Sequence, residues 1–269
     1  MTATDASIFR RLHDGTELFL LANCWDVGSA RLLEHLGARA VATTSAGLAW
    51  SNGFPDGDAT PVDCVVAAVR AIARVLTVPL SVDVEGGYSS EPRAVGDLVT
   101  ALIGVGAVGI NLEDGNASPD VLVAKIDHVK KAAARAGVDL FVNARTDVYL
   151  RGLVPEPGRV AETLARARRY KDAGADGIFV PKVVDPTEIR AIASEVGLPL
   201  NVLAWPKLPA ASELSALGVR RLSAGSSIAQ VALGRAATVA GAFLREGRTD
   251  SLTEGAMPFA EINALFTKR

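Results

Sequence analysis

The stretch Val78 to Tyr88 reads V-P-L-S-V-D-V-E-G-G-Y. Side chains alternate along a strand, so Leu80, Val82 and Val84 share one face while Ser81, Asp83 and Glu85 share the other. A strand that is apolar towards one layer and acidic towards another suits a sheet backed by helices, with its polar side facing a site. Two carboxylates at i and i+2 beside Gly86-Gly87 repel each other unless a cation lies between them. A divalent metal is therefore one reading. A half-exposed edge strand with solvated acids is the other, and this fragment alone does not separate them.

Working outward, strand and helix patterns alternate from end to end, which predicts repeated βα units and a parallel sheet. Eight units can be counted. The strands fall near Leu18–Ala22, Ala40–Thr43, the opening stretch, Gly109–Leu112, Leu140–Ala144, Gly177–Val180, Leu198–Leu203 and Val219–Ser223. Helix starts are marked by Thr60-Pro61, Glu91-Pro92, Ser118-Pro119 and Asp185-Pro186, each a cap followed by proline at the first helical position. A helix around Ala6 to Asp14 precedes strand 1, and a long one runs from Ser226 to about Leu244. Eight units without a break favour the α/β class and a closed (β/α)8 TIM barrel, which commonly takes about 250 residues. An open doubly wound sheet would carry G-x-G-x-x-G after strand 1, but Asn23-Cys24-Trp25-Asp26-Val27-Gly28 lacks that spacing. The expectation is one barrel domain over residues 1–269. Its tail, about 226–269, carries Phe259, Ile262, Leu265 and Phe266 as an apolar stripe for packing on another subunit.

Composition narrows the function. A formal charge of -2 leaves no basic footprint for nucleic acid. With 49% apolar residues the core needs no crosslinks, and two cysteines are too few for a disulfide framework. These features and the lack of a leader pattern predict a cytoplasmic location. Apolar runs are interrupted by Gly, Asp or Arg short of roughly 18 residues, so no membrane span is expected.

Barrels of this kind collect reactive groups at the C-terminal ends of their strands. Parity places Thr43 and Ser45 together on strand 2, Asn111 and Glu113 on strand 4, Asn143 and Arg145 on strand 5, and Asn201 on strand 7. Asp83, Glu85 and Glu113 against Arg145 leave an excess of negative charge that a divalent cation would balance. Hard oxygen ligands without His or Cys point to Mg2+. A buried ion network stabilising the barrel is the structural alternative. His13, His35 and His128 fall in predicted helices, so Ser-His-Asp and Cys-His schemes lack a base. Cys24 has no basic neighbour to activate it. Lys182 after strand 6 reads as a Schiff-base lysine or as the flank of a helix, and Ser223 to Ser227 as a phosphate-binding turn or a plain helix cap.

The motifs T-S-A-G-L (Thr44 to Leu48), V-D-V-E-G-G-Y (Val82 to Tyr88), N-L-E-D (Asn111 to Asp114) and N-A-R-T-D (Asn143 to Asp147) resemble, in order and spacing, the isocitrate lyase / phosphoenolpyruvate mutase superfamily. The resemblance runs from Phe19 to about Phe243. It implies a β/α barrel whose eighth helix is exchanged between subunits in dimers or tetramers. It also implies Asp83 as the direct Mg2+ ligand, with Glu85 and Glu113 holding the ion through water. Arg145 is implied as the arginine for the substrate carboxylate and developing enolate. Ser45, Ala46 and Gly47 match the turn that holds the 2-oxo acid, and Asp56 or Asp58 the aspartate of the loop after strand 2. Two departures stand out. The K-K-C-G-H of isocitrate and methylisocitrate cleavage is replaced by Asp114-Gly115-Asn116-Ala117-Ser118-Pro119, and the loop that serves phosphonate chemistry is shorter. The expected activity is a Mg2+-dependent lyase on a small 2-oxo or 2-hydroxy carboxylic acid. A carbon–phosphorus enzyme and a non-catalytic 2-oxo acid binder are the alternatives.

Overall fold

The computed structural model describes residues 3–267. Eight parallel strands close into a barrel in chain order: β1 (Phe19–Cys24), β2 (Val41–Thr43), β3 (Leu80–Asp83), β4 (Ala107–Glu113), β5 (Phe141–Arg145), β6 (Gly177–Val180), β7 (Leu200–Leu203) and β8 (Arg221–Ser223). The helices are α1 (Ala3–Arg11), α2 (Val27–His35), α3 (Ser45–Ser51), α4 (Val62–Ala73), α5 (Pro92–Gly104), α6 (Pro119–Arg135), α7 (Arg159–Asp172), α8 (Pro186–Glu195), α9 (Ala211–Ala216), α10 (Ser227–Glu246), α11 (Asp250–Thr253) and α12 (Phe259–Ala264). This is the expected (β/α)8 architecture. The proline-led starts of α5, α6 and α8 fall where the sequence places them. Ser118 and Asp185 cap with their side chains, Asp185 accepting from the Thr187 and Glu188 N–H groups at 2.8 and 3.0 Å, whereas Glu91 makes no such bond and at α4 the cap position is taken by Pro61, one residue later than read.

Outward residues of the strands, among them Val41, Leu80, Val82, Ile110, Leu112, Val142, Ile178 and Val202, form the core shared with the helices. A second core fills the lower barrel. Phe9 of α1 inserts there against Phe19, Phe141, Ala42 and Val108, so the N-terminal helix closes the barrel floor. Gly109 is the residue that permits this: a Cβ there would lie 2.7 Å from the Phe9 ring. With the floor sealed by hydrocarbon, polar inward groups are left to the middle and the mouth.

His13 follows α1 in a turn, just beyond the helix in which the sequence places it, and stacks on Phe141 with ring centroids 4.2 Å apart. Its Nδ1 lies 2.9 Å from the Phe9 carbonyl oxygen. Burial, helped by the charges of Arg221 and Arg10, holds its pKa down to about 3. The unfolded chain takes up this proton near pH 6.5 and the folded one does not, so stability from His13 is present above pH 6.5 and is lost as pH falls towards 3. The stability difference between wild type and His13→Phe is expected to change by about 2 kcal/mol between pH 7 and pH 5. Urea titrations at both pH values check this, and a constant difference would show that His13 is protonated in place.

The last long helix stands off the barrel. Val231 is 73% and Leu244 79% exposed on α10, and a groove of about 580 Å3 between α2 and the outer face of β1 and β8 is left open, with Leu20 59% exposed in it. By length and composition α10 would also reach across a membrane, with a mean hydropathy of 1.3. From the sequence no span is expected, because apolar runs are broken by Gly, Asp or Arg short of roughly 18 residues. The chain then returns: Leu265 beyond α12 is buried, and its carbonyl oxygen accepts from Arg31 Nε at 2.9 Å.

Candidate active site

Parity on β3, β4 and β5 is as read. Leu80, Val82 and Val84 pack outward with Ile110, Leu112, Val142 and Ala144, leaving Asp83, Glu85, Asn111, Glu113, Asn143 and Arg145 on the inner side. On β2 the reading is corrected. Val41 packs outward and Ala42 inward, so Thr43 shares the helix-facing side, and its hydroxyl accepts from the Asp83 N–H at 2.9 Å. Strand alternation ends there because Ser45 opens α3, a helix that the sequence reading treats as turn and loop. The consequence matters for the site, since the Ser45 N–H now donates to the Asp83 carboxylate. Gly47 lets α3 sit this close: a Cβ there would meet Trp25 Cβ at 2.7 Å and Thr44 Cγ2 at 2.9 Å. Ala46 is buried beside it.

Asp83 also accepts from the Glu85 N–H at 3.3 Å. Burial raises its pKa, opposed by Arg145. The loop after α3 folds over the end of β3, where Glu85 Oε2 accepts from the Gly57 N–H at 2.8 Å and from that of Asp58. Asp58 in turn accepts from the Tyr88 N–H at 3.0 Å. The loop aspartates thereby differ in role. Asp58 staples the loop down, whereas Asp56 is exposed and acts on Asp83 and Glu85 through its charge. Three non-glycine residues of this corner, Asp58, Glu85 and Tyr88, have φ of 58°, 50° and 55°. Left-handed backbone costs an L-residue roughly 1–2 kcal/mol, so strain is concentrated where the acids converge.

Glu113 lies 2.5 Å from Arg145 Nη1, while Asp147 takes Arg145 Nε at 2.7 Å and Nη2 at 3.1 Å. The guanidinium also sits over the Phe179 ring, 5.8 Å from its centroid. Burial and the neighbouring carboxylates push Glu113 up to about 8 and Glu85 up to about 7. The acids crowd one another, and Glu85 Oε1 is buried with no hydrogen-bond partner. Among the described residues no three His, Cys, Asp or Glu side chains converge into a cage for an ion. The donors at the mouth are carboxylate oxygens, the ligand type of a hard cation such as Mg2+.

Below this layer lie Asn111, Asn143 and Asn201, which the sequence reading set inward, and Arg221, which it missed. Asn143 Nδ2 and Arg221 Nη2 donate to Asn111 Oδ1 at 2.9 and 3.2 Å. Arg221 is 1% exposed, and its Nε and Nη1 find no partner, nor does either polar atom of Asn201 beside it on β7. Parity with Ser223 would have placed Arg221 inside. The turn from Ser223 to Ser227 is not open to a phosphate at its glycine, because the Gly225 N–H donates to Asn23 Oδ1 at 2.8 Å. Lys182 is exposed on the turn after β6. Burial pushes the Cys24 thiol up to about 12, which removes it as a nucleophile.

The family description of phosphoenolpyruvate phosphomutase matches residues 9–244 of this barrel and its mouth. The chain belongs to the phosphoenolpyruvate phosphomutase family. It is 40% identical over 222 residues to the uncharacterized protein Rv1998c of Mycobacterium tuberculosis, covering 81% of each chain. To the oxaloacetate decarboxylase of Paraburkholderia xenovorans it is 30% identical over 234 residues, 81% of this chain and 74% of that one. Among solved structures, a phosphonopyruvate hydrolase in complex with oxalate and Mg2+ superposes with a TM-score of 0.84 at 25% identity, over 98% of this chain and 95% of that one. The family thus includes lyases and phosphonate enzymes built on this barrel.

Proposed function

We propose that the protein is a Mg2+-dependent lyase that cleaves or decarboxylates a small 2-oxo or 2-hydroxy carboxylic acid. The observation that carries this reading is the opposition of Arg145 to Asp83 across a mouth whose other reactive groups are carboxylates. Asp83 would hold the ion directly, with Glu85 and Glu113 acting through its water, and Ser45, Ala46, Gly47 and Asn201 lining the substrate. A cation bound there supplies Lewis-acid polarisation of the substrate carbonyl. Arg145 Nη1, paired with Glu113 in this structure, would bind a substrate carboxylate and stabilise negative charge that develops on the neighbouring oxygen. The α3 N-terminus adds N–H groups on the opposite side. Asp56, free of the contacts that occupy Asp58, is the loop carboxylate available for proton movement.

The 30% identity to an oxaloacetate decarboxylase supports a dicarboxylate. The likeness to a phosphonopyruvate hydrolase supports the second reading, cleavage of a carbon–phosphorus bond. Turnover of oxaloacetate, a methylmalate-type acid and phosphonopyruvate, each with Mg2+ and with chelator, separates the two. Pyruvate released from a dicarboxylate only with Mg2+ upholds the lyase, and phosphate released from phosphonopyruvate replaces it with the phosphonate enzyme. Binding of all three without product leaves a 2-oxo acid binder.

The same proposal includes assembly: α10 of one copy fills the open groove beside β1 of a second, giving a cytoplasmic dimer or tetramer whose tail, residues 226–269, serves oligomerisation. The apolar surface of α10 and the unfilled groove support it. Wild type is expected to sediment as a dimer or tetramer at micromolar concentration, and Val231→Asp with Leu233→Asp as a monomer. A monomeric wild type would remove this part.

A further inference from the structure

Arg145 is held by Asp147, and Asp147 in turn by Asp114. Asp114 and Asp147 are the final acids of N-L-E-D and N-A-R-T-D, and both side chains are fully buried. The Asp114 N–H donates to the Arg145 carbonyl oxygen at 3.1 Å, and Asp114 Oδ1 accepts from the Asp147 N–H at 2.9 Å. These two bonds lock the chain on either side of Thr146, where β5 ends. The other oxygen of Asp114 is occupied from the helix layer. Oδ2 accepts from Arg166 Nη1 at 2.9 Å and from the Tyr170 hydroxyl at 2.6 Å, both on α7. Asp147 spends its carboxylate on Arg145 Nε and Nη2, and shares Oδ2 with Arg151 Nε at 2.8 Å.

The planar guanidinium has two edges. Asp147 occupies the Nε edge, so the edge formed by Nη1 and the second N–H of Nη2 is the one left, and Nη1 meets Glu113 there. The direction of that edge depends on where Asp147 sits, and Asp147 sits where the N–H accepted by Asp114 puts it. We infer that Asp114, clamped by Arg166 and Tyr170 of α7, is a positioning residue that aims the Arg145 guanidinium into the mouth through Asp147. This rests on the reading of Arg145 as the substrate-facing donor, and it adds the outer helix α7 to the machinery. A plain structural role for the same network would lower stability without turning the guanidinium. Buried carboxylates with every oxygen spoken for do stabilise a fold, so the two roles must be separated by geometry and binding.

Tyr170→Phe removes one hydrogen bond to Asp114 and leaves the Arg166 pair in place, which makes it the mild variant. Asp114→Asn is the severe one, and if it fails to fold the mild variant decides. Crystals of free Tyr170→Phe are expected to show the Arg145 guanidinium displaced from its wild-type place. Calorimetry with oxalate, a planar mimic of an enolate, is expected to show about ten-fold weaker binding in the presence of Mg2+, and about a hundred-fold for Asp114→Asn. Mg2+ affinity without oxalate is expected to stay within about two-fold of wild type. An unmoved guanidinium in Tyr170→Phe overturns the inference, whatever the binding. Should wild type bind no oxalate with Mg2+, it is the proposed function that fails, and the crystals of the variant still decide whether α7 aims Arg145.

Discussion

Asp83→Ala is expected to abolish Mg2+-dependent binding of oxalate and to lower turnover by about 1000-fold or more, the loss of several kcal/mol of electrostatic stabilisation. The size follows from how little else could replace Asp83. Glu85 has one oxygen engaged by the Gly57 and Asp58 N–H groups, and Glu113 is paired with Arg145. Neither is free to move into the position of a direct ligand without releasing the loop or the guanidinium. The Asp83 carboxylate, by contrast, is oriented among the described residues by the Ser45 and Glu85 N–H groups and feels the charge of Arg145. Titration of the variant with Mg2+, with and without oxalate, is the measurement. Unchanged oxalate affinity would place the cation elsewhere and remove the proposed mechanism.

The second large effect is expected at Arg145. Removing one donor from a preorganised anion site commonly costs 100- to 1000-fold in turnover, and Arg145→Ala is expected near the upper end of that range. Arg145→Lys recovers little, because one ammonium cannot hold Asp147 along one edge and reach Glu113 with the other. A separate readout comes from pH. Burial raises the pKa of Glu113, and the Arg145 charge is what opposes it. Without the guanidinium that pKa rises further, and since metal uptake requires ionised ligands, the pH midpoint for Mg2+ binding is expected to move up in Arg145→Ala. A midpoint equal to that of wild type would show that Arg145 and Glu113 do not act on each other in solution.

Both expectations lean on residues that were legible in the sequence. The alternation of Ser81, Asp83 and Glu85, of Asn111 and Glu113, and of Asn143 and Arg145 is a local property of extended backbone, so a period of two was enough to set them on one face. Where the backbone left that period the reading failed. Thr43 faces outward with Val41 by that same period, but Ser45 does not continue it because β2 ends at Thr43 and α3 begins, and α3 itself was hidden because its short run of small residues has no helical stripe. The choice between Asp56 and Asp58 could not be made from loop chemistry. The structure tells the two apart by contact alone: Asp58 accepts from the N–H of Tyr88, a residue 30 positions away, and the role proposed for Asp56 rests on that difference. Arg221 sits in a three-residue strand beside another arginine; parity with Ser223 marks it as the inward one of the pair, but only the closed barrel brings it to Asn111.

Period, capping and charge are properties of neighbouring residues, so the sequence by itself determined that this chain alternates strand and helix eight times and lines its strand ends with acids and one arginine. Only the tertiary structure decided what those groups do to each other. Closing the barrel brought β3, β4 and β5 side by side, buried their acids together and raised their pKa values, occupied both edges of the Arg145 guanidinium, and left α10 without a surface to cover it. Each of these outcomes depends on distances between residues far apart in the chain, where burial strengthens charge interactions that water would otherwise screen.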